Sequence, residues 1–353
     1  MRVHFELRRT DEGPFAPRRQ TIPGQTERLT LRLAQLLARR GHDVSVRGGG
    51  DEGIRYGVRV LPRRAAVGAV EVVVCVGSDP PPDVTAPLWI GQSNTISWPL
   101  AGDWDAVVVG SVWHAERLRG RRPSLPIEVV PPVCDPVHEP ERVRDRFLFA
   151  ASPERGLHHL LKMWPAIWRR FGLPLSIVGD VRTSFARLSS DPVAARVRAA
   201  AGMLDQPGVI VHGPLTEAQL CTLRARCLAL LHPLDPVLPD DELCSSAIWE
   251  ACAAGCVPIL SPVGSLPSEF TKVARFVDSG GTNVEADAWV GAIDEVMGDR
   301  STRAEGARRV ATAHTVGAWA ARWEAVLGRS PGLARRVVPP VVEGVWRPPE
   351  LLA

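Results

Sequence analysis

Two consecutive α/β domains, each built on a Rossmann-like parallel sheet, are what this sequence predicts. Three observations carry the prediction. Short β-branched runs alternate with longer helical segments, the pattern of βαβ units. The alternation starts twice, once at the amino terminus and again near residue 146. Between the two series lies the proline-dense stretch 129–136, followed at once by His138, Glu139 and Pro140.

In the first series Val3–Leu7, Val44–Val46, Val70–Val76, Pro87–Ile90 and Ala106–Val109 read as strands. Thr26–Arg40 reads as a helix, because Leu29, Leu33, Leu36 and Leu37 form an apolar stripe and Gly41 follows as a stop. In the second series Phe147–Ala150, Leu175–Val178, Val209–His212, Leu228–Leu231 and Val257–Leu260 read as strands. Arg155–Phe171, Glu217–Arg226 and Ser246–Ala254 read as the helices between them, with further helices at about 285–298, 301–312 and 316–327. Residues 1–140 and 141–312 are the expected domains, and 329–353 is a proline-rich tail. Ligands of open parallel sheets sit beyond the carboxyl ends of the strands, so a ligand site is expected there.

The chain's 353 residues, 45% of them hydrophobic, suffice for two cores of ordinary size. No run approaches the roughly 18 apolar residues of a spanning helix. The opening MRVHFELRRTDEG turns charged within a few residues, as a first buried strand does and a signal peptide does not. A net charge of +3, with lysine only at Lys162 and Lys272, says little about partners. The arginines at 117, 119, 121 and 122 lack interleaved stacking aromatics, which argues against nucleic acid. They read as a solvated helix end or as a peripheral contact with an anionic membrane. The seven cysteines, odd in number and mostly in apolar runs, favour reduced thiols in a cytoplasmic protein. No zinc ligand set or Asp-x-Asp pair is convincingly placed, and no metal or other cofactor is expected.

The segment 241–261 is the most informative. Glu242 and Glu250 are separated by seven residues, Ser245 or Ser246 is a natural N-cap, and Gly255 ends an apolar helix. The helix N-terminus near Leu243, Cys244, Ser245 and Ser246 suits an anion. Carboxylates on either side of it are good acceptors for sugar hydroxyls. Alternatively, Glu242 is a solvated loop carboxylate and Glu250 a surface residue. A second segment, 150–165, offers Ser152 as an N-cap, Pro153 at the first helical position and Arg155 in the first turn after a strand. That position suits a guanidinium that forks a diphosphate, though a plain capped helix with an exposed arginine is also consistent. Gly179 and Leu215 close two strand-to-loop turns, and Glu269 ends a loop after the strand that follows Glu250.

The run GluAlaCysAlaAlaGlyCysValPro at 250–258, preceded by Glu242, resembles the E-x7-E region of retaining GT-B glycosyltransferases, especially family four (glycosyl transferases group 1). The resemblance implies a GT-B fold, two Rossmann-like domains facing a central cleft, with a helix at 313–328 crossing back to the first. It implies that Glu250 holds the nucleotide ribose, that Glu242 holds donor-sugar hydroxyls near the anomeric carbon, and that Arg155 binds the phosphates. Ser152, Gly179 and Leu215 would line the donor site with residues 243–246. On the acceptor side Gly24 and Gln25 resemble the family's Gly-Gly loop, with Gln25 in place of the second glycine. Where relatives carry a histidine or acid, this chain has Gly91, Gln92 and Asn94, and an additional family arginine is replaced by Ala150. His114 is more economically read as structural. The implied reaction is retaining, metal-independent transfer of a sugar from an NDP-sugar to an acceptor hydroxyl, with UDP expected as the commonest nucleotide of the family. An NDP-sugar epimerase or hydrolase, or a non-catalytic sugar-nucleotide-binding subunit, are the competing readings.

Overall fold

The computed structural model describes residues 1–7, 25–48, 52–93, 103–134, 143–179, 192–213, 215–234, 242–278 and 286–328. Its described residues divide into two compact units, one of Met1–Val133 with Val316–Gly328, the other of Cys134–Thr315.

In the first unit the elements are β1 (Arg2–Leu7), α1 (Gln25–Arg39), β2 (Asp43–Arg47), β3 (Gly53–Arg55), β4 (Val58–Leu61), β5 (Gly68–Ala69), β6 (Val72–Val76), β7 (Val84–Thr85), β8 (Leu88–Gln92), β9 (Ala106–Val109), α2 (Val112–Arg121) and β10 (Ile127–Val129). The main sheet runs β10-β9-β8-β6-β1-β2-β4-β3. Its pairings are parallel except for β3 against β4. The chain moves outward from β1 to β4, then returns to β6 on the other side of β1, so β1 and β6 flank a topological switch point. β6 is buried at every position, as a strand covered on both faces must be. The leucine stripe of α1 does what its spacing predicts: Leu33 and Leu37 pack on Val3, Phe5, Val44 and Val46. Strands β3, β4 and β10 were not expected; at three or four residues each they are too short to show a period.

The second unit contains β11 (Arg146–Phe149), α3 (Leu157–Phe171), β12 (Leu175–Val178), α4 (Pro192–Ala201), β13 (Val209–His212), α5 (Glu217–Arg226), β14 (Cys227–His232), α6 (Ser246–Ala253), β15 (Val257–Leu260), α7 (Leu266–Phe270), β16 (Arg275–Phe276), α8 (Ala286–Gly298) and α9 (Arg300–Ala311). Its sheet runs β13-β12-β11-β14-β15-β16, wholly parallel. This is a doubly wound sheet with its switch point between β11 and β14. One face buries Phe147, Phe149, Ile177 and Ile259 against α3 and α8, and the other buries Leu148, Leu230 and Leu260 against α6 and α7.

A further helix, α10 (Val316–Leu327), belongs to the first unit, where Trp319 and Trp323 join the core of β1 and α1. All seven cysteines are free thiols. Among the described residues no helix is long and apolar enough to cross a membrane.

One helix start is corrected. Ser152 does not cap α3, and Arg155 does not lie in its first turn: residues 153–156 form a turn, and the helix opens at Leu157. The cause is Gly156, left-handed at φ +91°, which takes the N-cap position. A Cβ there would lie 1.9 Å from the Pro233 carbonyl oxygen. The loops after β11 and β14 approach so closely that only glycine fits between them.

Candidate functional site

Residues near the carboxyl ends of the second sheet converge as the doubly wound topology requires. Arg155 comes from the loop after β11, His232 ends β14, Glu242 lies between β14 and α6, and Ser265 follows β15. Arg155 Nη1 donates to Glu242 Oε2 at 2.8 Å, and His232 Nε2 stands 3.6 Å from the same oxygen. Glu242 is only 7% exposed, and its place is fixed through the backbone. The Ser265 amide donates to the Glu242 carbonyl at 2.8 Å, and a Cβ on Gly264 would lie 2.4 Å from that carbonyl. Burial alone would raise the Glu242 carboxyl, but His232 and Arg155 beside it hold it below its usual range. The carboxylate is therefore ionised at neutral pH.

The alternative of a solvated loop carboxylate at 242 and a surface residue at 250 does not hold: both side chains are buried. Glu250 Oε2 forms an ion pair with Arg224 of α5, itself 3% exposed, and Glu217 stands 3.6 Å from the same guanidinium. Ser245 occupies the N-cap position of α6 without a side-chain capping bond. Ser246, the first helical residue, is 1% exposed, and its buried hydroxyl has no hydrogen-bond partner. A buried hydroxyl without a protein partner at a helix N-terminus is suited to a ligand oxygen. At the other end α6 stops as the sequence predicts. Gly255 at φ +72° donates to Cys252 O and Cys256 N–H to Ala251 O, the Schellman pattern.

Other expected donor-side residues lie at strand ends of the same sheet. Gly179 follows β12 at φ +121° with open space where a Cβ would be, and Leu215 follows β13 partly buried. Leu243 is buried, and burial pushes the Cys244 thiol well up, with Glu269 and Glu242 adding to the effect. Glu269 on α7 accepts from Ser265 Oγ at 2.9 Å. Burial and then the nearby Glu242 charge raise its carboxyl to about 8, against the lowering effect of the Ser265 bond. A neutral carboxyl thus stands near an ionised one.

Of the acceptor-side residues, Gly24 and Asn94 lie outside the described residues, and Gln25 is the first residue of α1. Gln92 ends β8, and its Oε1 is buried without a hydrogen-bond partner. His114 is buried near the start of α2, its backbone amide held by the N-cap Ser111 Oγ at 3.1 Å. At the start of the arginine run, Arg117 lies 4.8 Å over the ring of Trp113, one turn earlier on the same helix. His232, Arg224 and Glu269 were missing from the expected site. For His232 a signal existed, since a polar residue at the end of an otherwise apolar strand is unusual. Arg224 carries no such signal, because one arginine in an amphipathic helix is ordinary.

No family model matches the chain, and no curated protein matches its sequence. Solved structures do. A glycosyltransferase from Rickettsia africae superposes with a TM-score of 0.65 at 12% identity, covering 95% of this chain and 99% of that one. Sucrose-phosphate synthase from Thermosynechococcus elongatus gives 0.64 at 14% identity, covering 95% and 98%. AviGT4, a glycosyltransferase involved in avilamycin A biosynthesis, gives 0.61 at 18%, covering 94% and 98%. The fold is GT-B. Both Rossmann-like domains of a GT-B chain are present, and the Arg155–Glu242 pair lies at the switch point of the second. Within this GT-B chain, no group of three or more histidine, cysteine or acidic side chains among the described residues could hold a metal ion.

Proposed function

We propose that this protein is a retaining glycosyltransferase that moves a sugar from an NDP-sugar, with UDP as the nucleotide, to an acceptor hydroxyl. The observation that carries the reading is the pairing of Arg155 with the buried, ionised Glu242 beside the N-terminus of α6, at the switch point of a doubly wound sheet. In this reading the donor diphosphate takes Arg155 as a partner, together with the α6 amides and the Ser246 hydroxyl. Glu242, released from part of its bond to Arg155, accepts from hydroxyls of the donor sugar. Departure of the diphosphate leaves positive charge at the anomeric carbon and negative charge on the leaving oxygen. Arg155 and the helix N-terminus are placed to stabilise the latter without reorganisation. Glu250, held by Arg224, faces the ribose. The acceptor approaches the first unit, with Gln92 among its contacts. The protein works in the cytoplasm on a donor supplied there.

The test has two readings. UDP, GDP, ADP and dTDP are compared for thermal stabilisation; a nucleotide at 100 times its dissociation constant adds about 2.7 kcal/mol. The corresponding NDP-sugars are then incubated with acceptors while nucleotide release and anomeric configuration are followed by NMR. A product with the donor's configuration supports the proposal. Release of free sugar without acceptor would assign a hydrolase, and binding without turnover a non-catalytic subunit. Absence of stabilisation by every nucleotide would overturn the reading.

A further inference from the structure

A second charged constellation lies at the opposite end of α6, near the amino edges of β11, β14 and β15. Arg144 precedes β11, while Arg300 and Arg308 lie on α9, and all three are half-buried. Around Gly255 two of them converge: a Cβ at that position would lie 2.1 Å from Arg308 Nη1 and 2.9 Å from Arg144 Nη2. Arg144 donates through Nη1 to the Cys227 carbonyl at 2.6 Å and through Nη2 to that of Ala254, the C-cap of α6. Burial and then the charges of Arg308 and Arg300 lower its pKa.

Neighbouring acids are engaged elsewhere. Asp145 pairs with Arg146 and Arg226, Glu305 with Arg309, and Asp299 stands 3.9 Å from Arg303. The buried thiols of Cys227 and Cys256 are pushed far up and supply no anion. A helix C-terminus offers roughly half an elementary charge, which accounts for part of one guanidinium and not for two. Arg144 is explained as a cap. Arg308, whose guanidinium makes no hydrogen bond or ion pair among the described residues, is not.

We propose that Arg144 and Arg308 form a binding site for a phosphate group at the carboxyl end of α6, separate from the donor site. Guanidinium pairs fork phosphate oxygens, and the convergence of two on one point is the arrangement such an anion needs. The phosphate is either free in solution or the headgroup of an anionic lipid. The inference does not depend on the transferase reading, because its site shares no side chain with Glu242 or Arg155.

Phosphate binding is measured in the Arg155→Ala protein, which removes the donor-side cation, by calorimetry and thermal shift at constant ionic strength against chloride. Arg308→Gln is the test variant, and Arg308→Lys, which keeps the charge without the fork, is the second. The Arg308 side chain on α9 is only half-buried, so both should fold. The expected result is phosphate binding weakened roughly tenfold or more by Arg308→Gln. In a parallel arm, flotation with phosphatidylglycerol vesicles against phosphatidylcholine vesicles reads the headgroup. Vesicle binding that depends on Arg308, without a response to free phosphate, assigns a lipid. Binding insensitive to both variants, or no binding in either arm, overturns the proposal. UDP stabilisation of the wild-type chain is scored separately, so failure here leaves the donor site untouched.

Discussion

Arg155 and Glu242, 87 residues apart in sequence, are joined by a 2.8 Å charged hydrogen bond between two loops at a sheet switch point. In the proposed donor site, Arg155→Ala removes the diphosphate's cation and leaves Glu242 with His232 alone. Loss of one preorganised charged donor costs about 10²–10³-fold in kcat. Steady-state transfer by Arg155→Ala against wild type checks this, and unchanged kcat would remove Arg155 from the mechanism.

Glu250 and Arg224 should show the signature of a buried ion pair. Arg224→Met alone strands a carboxylate among apolar neighbours and is expected to cost about 3–5 kcal/mol. The double variant Arg224→Met/Glu250→Gln should recover most of that loss, because no charge is left unpaired. Denaturant unfolding of both proteins reads the difference. Equal stability of the single and double variants would mean that solvent already screens the pair.

Glu269 gives a pH dependence of known sign. Its folded pKa, raised to about 8, exceeds its unfolded value near 4.5. Between those values the folded chain keeps a proton that the unfolded chain has released, so stability falls as pH rises through this window. The penalty is absent below about pH 4.5 and complete above about pH 8. Glu269→Gln should therefore melt higher than wild type at pH 8.5 and match it near pH 4. A constant offset across that range would show that the carboxyl is already ionised.

Asp145 acts in the opposite sense. Bonds from Arg146, then Arg226, lower its carboxyl to about 2 against the usual 3.8. Its contribution is complete above the unfolded value and is lost as pH falls from about 4 to about 2. Asp145→Asn should flatten the acid limb of the stability curve there. The effect is small, because the pair is partly exposed to solvent.

Gly156→Ala tests the close approach of the two site loops. A Cβ 1.9 Å from the Pro233 carbonyl oxygen forces one loop to move, and the left-handed backbone adds about 1–2 kcal/mol of strain. Lower stability together with weakened nucleotide stabilisation is expected. Native nucleotide binding in a destabilised variant would show that Arg155 does not depend on this loop.

The sequence by itself determined the element types, the two-domain α/β architecture and the position of the E-x7-E segment. These follow from local signals: the leucine stripe of α1, the apolar runs at Val72–Val76 and Cys227–His232, and the glycine at 255 whose Schellman stop closes within a few residues. Short strands such as Gly53–Arg55 escaped because three residues carry no period. The start of α3 escaped because Gly156, not the capping-competent Ser152, was placed by a loop 77 positions away. Only the tertiary structure decided which charges meet. Arg155 finds Glu242, Arg224 finds Glu250, and Arg144 converges with Arg308. Such pairings depend on strand order, and a parallel sheet assembles its carboxyl-end loops from segments that no local pattern connects.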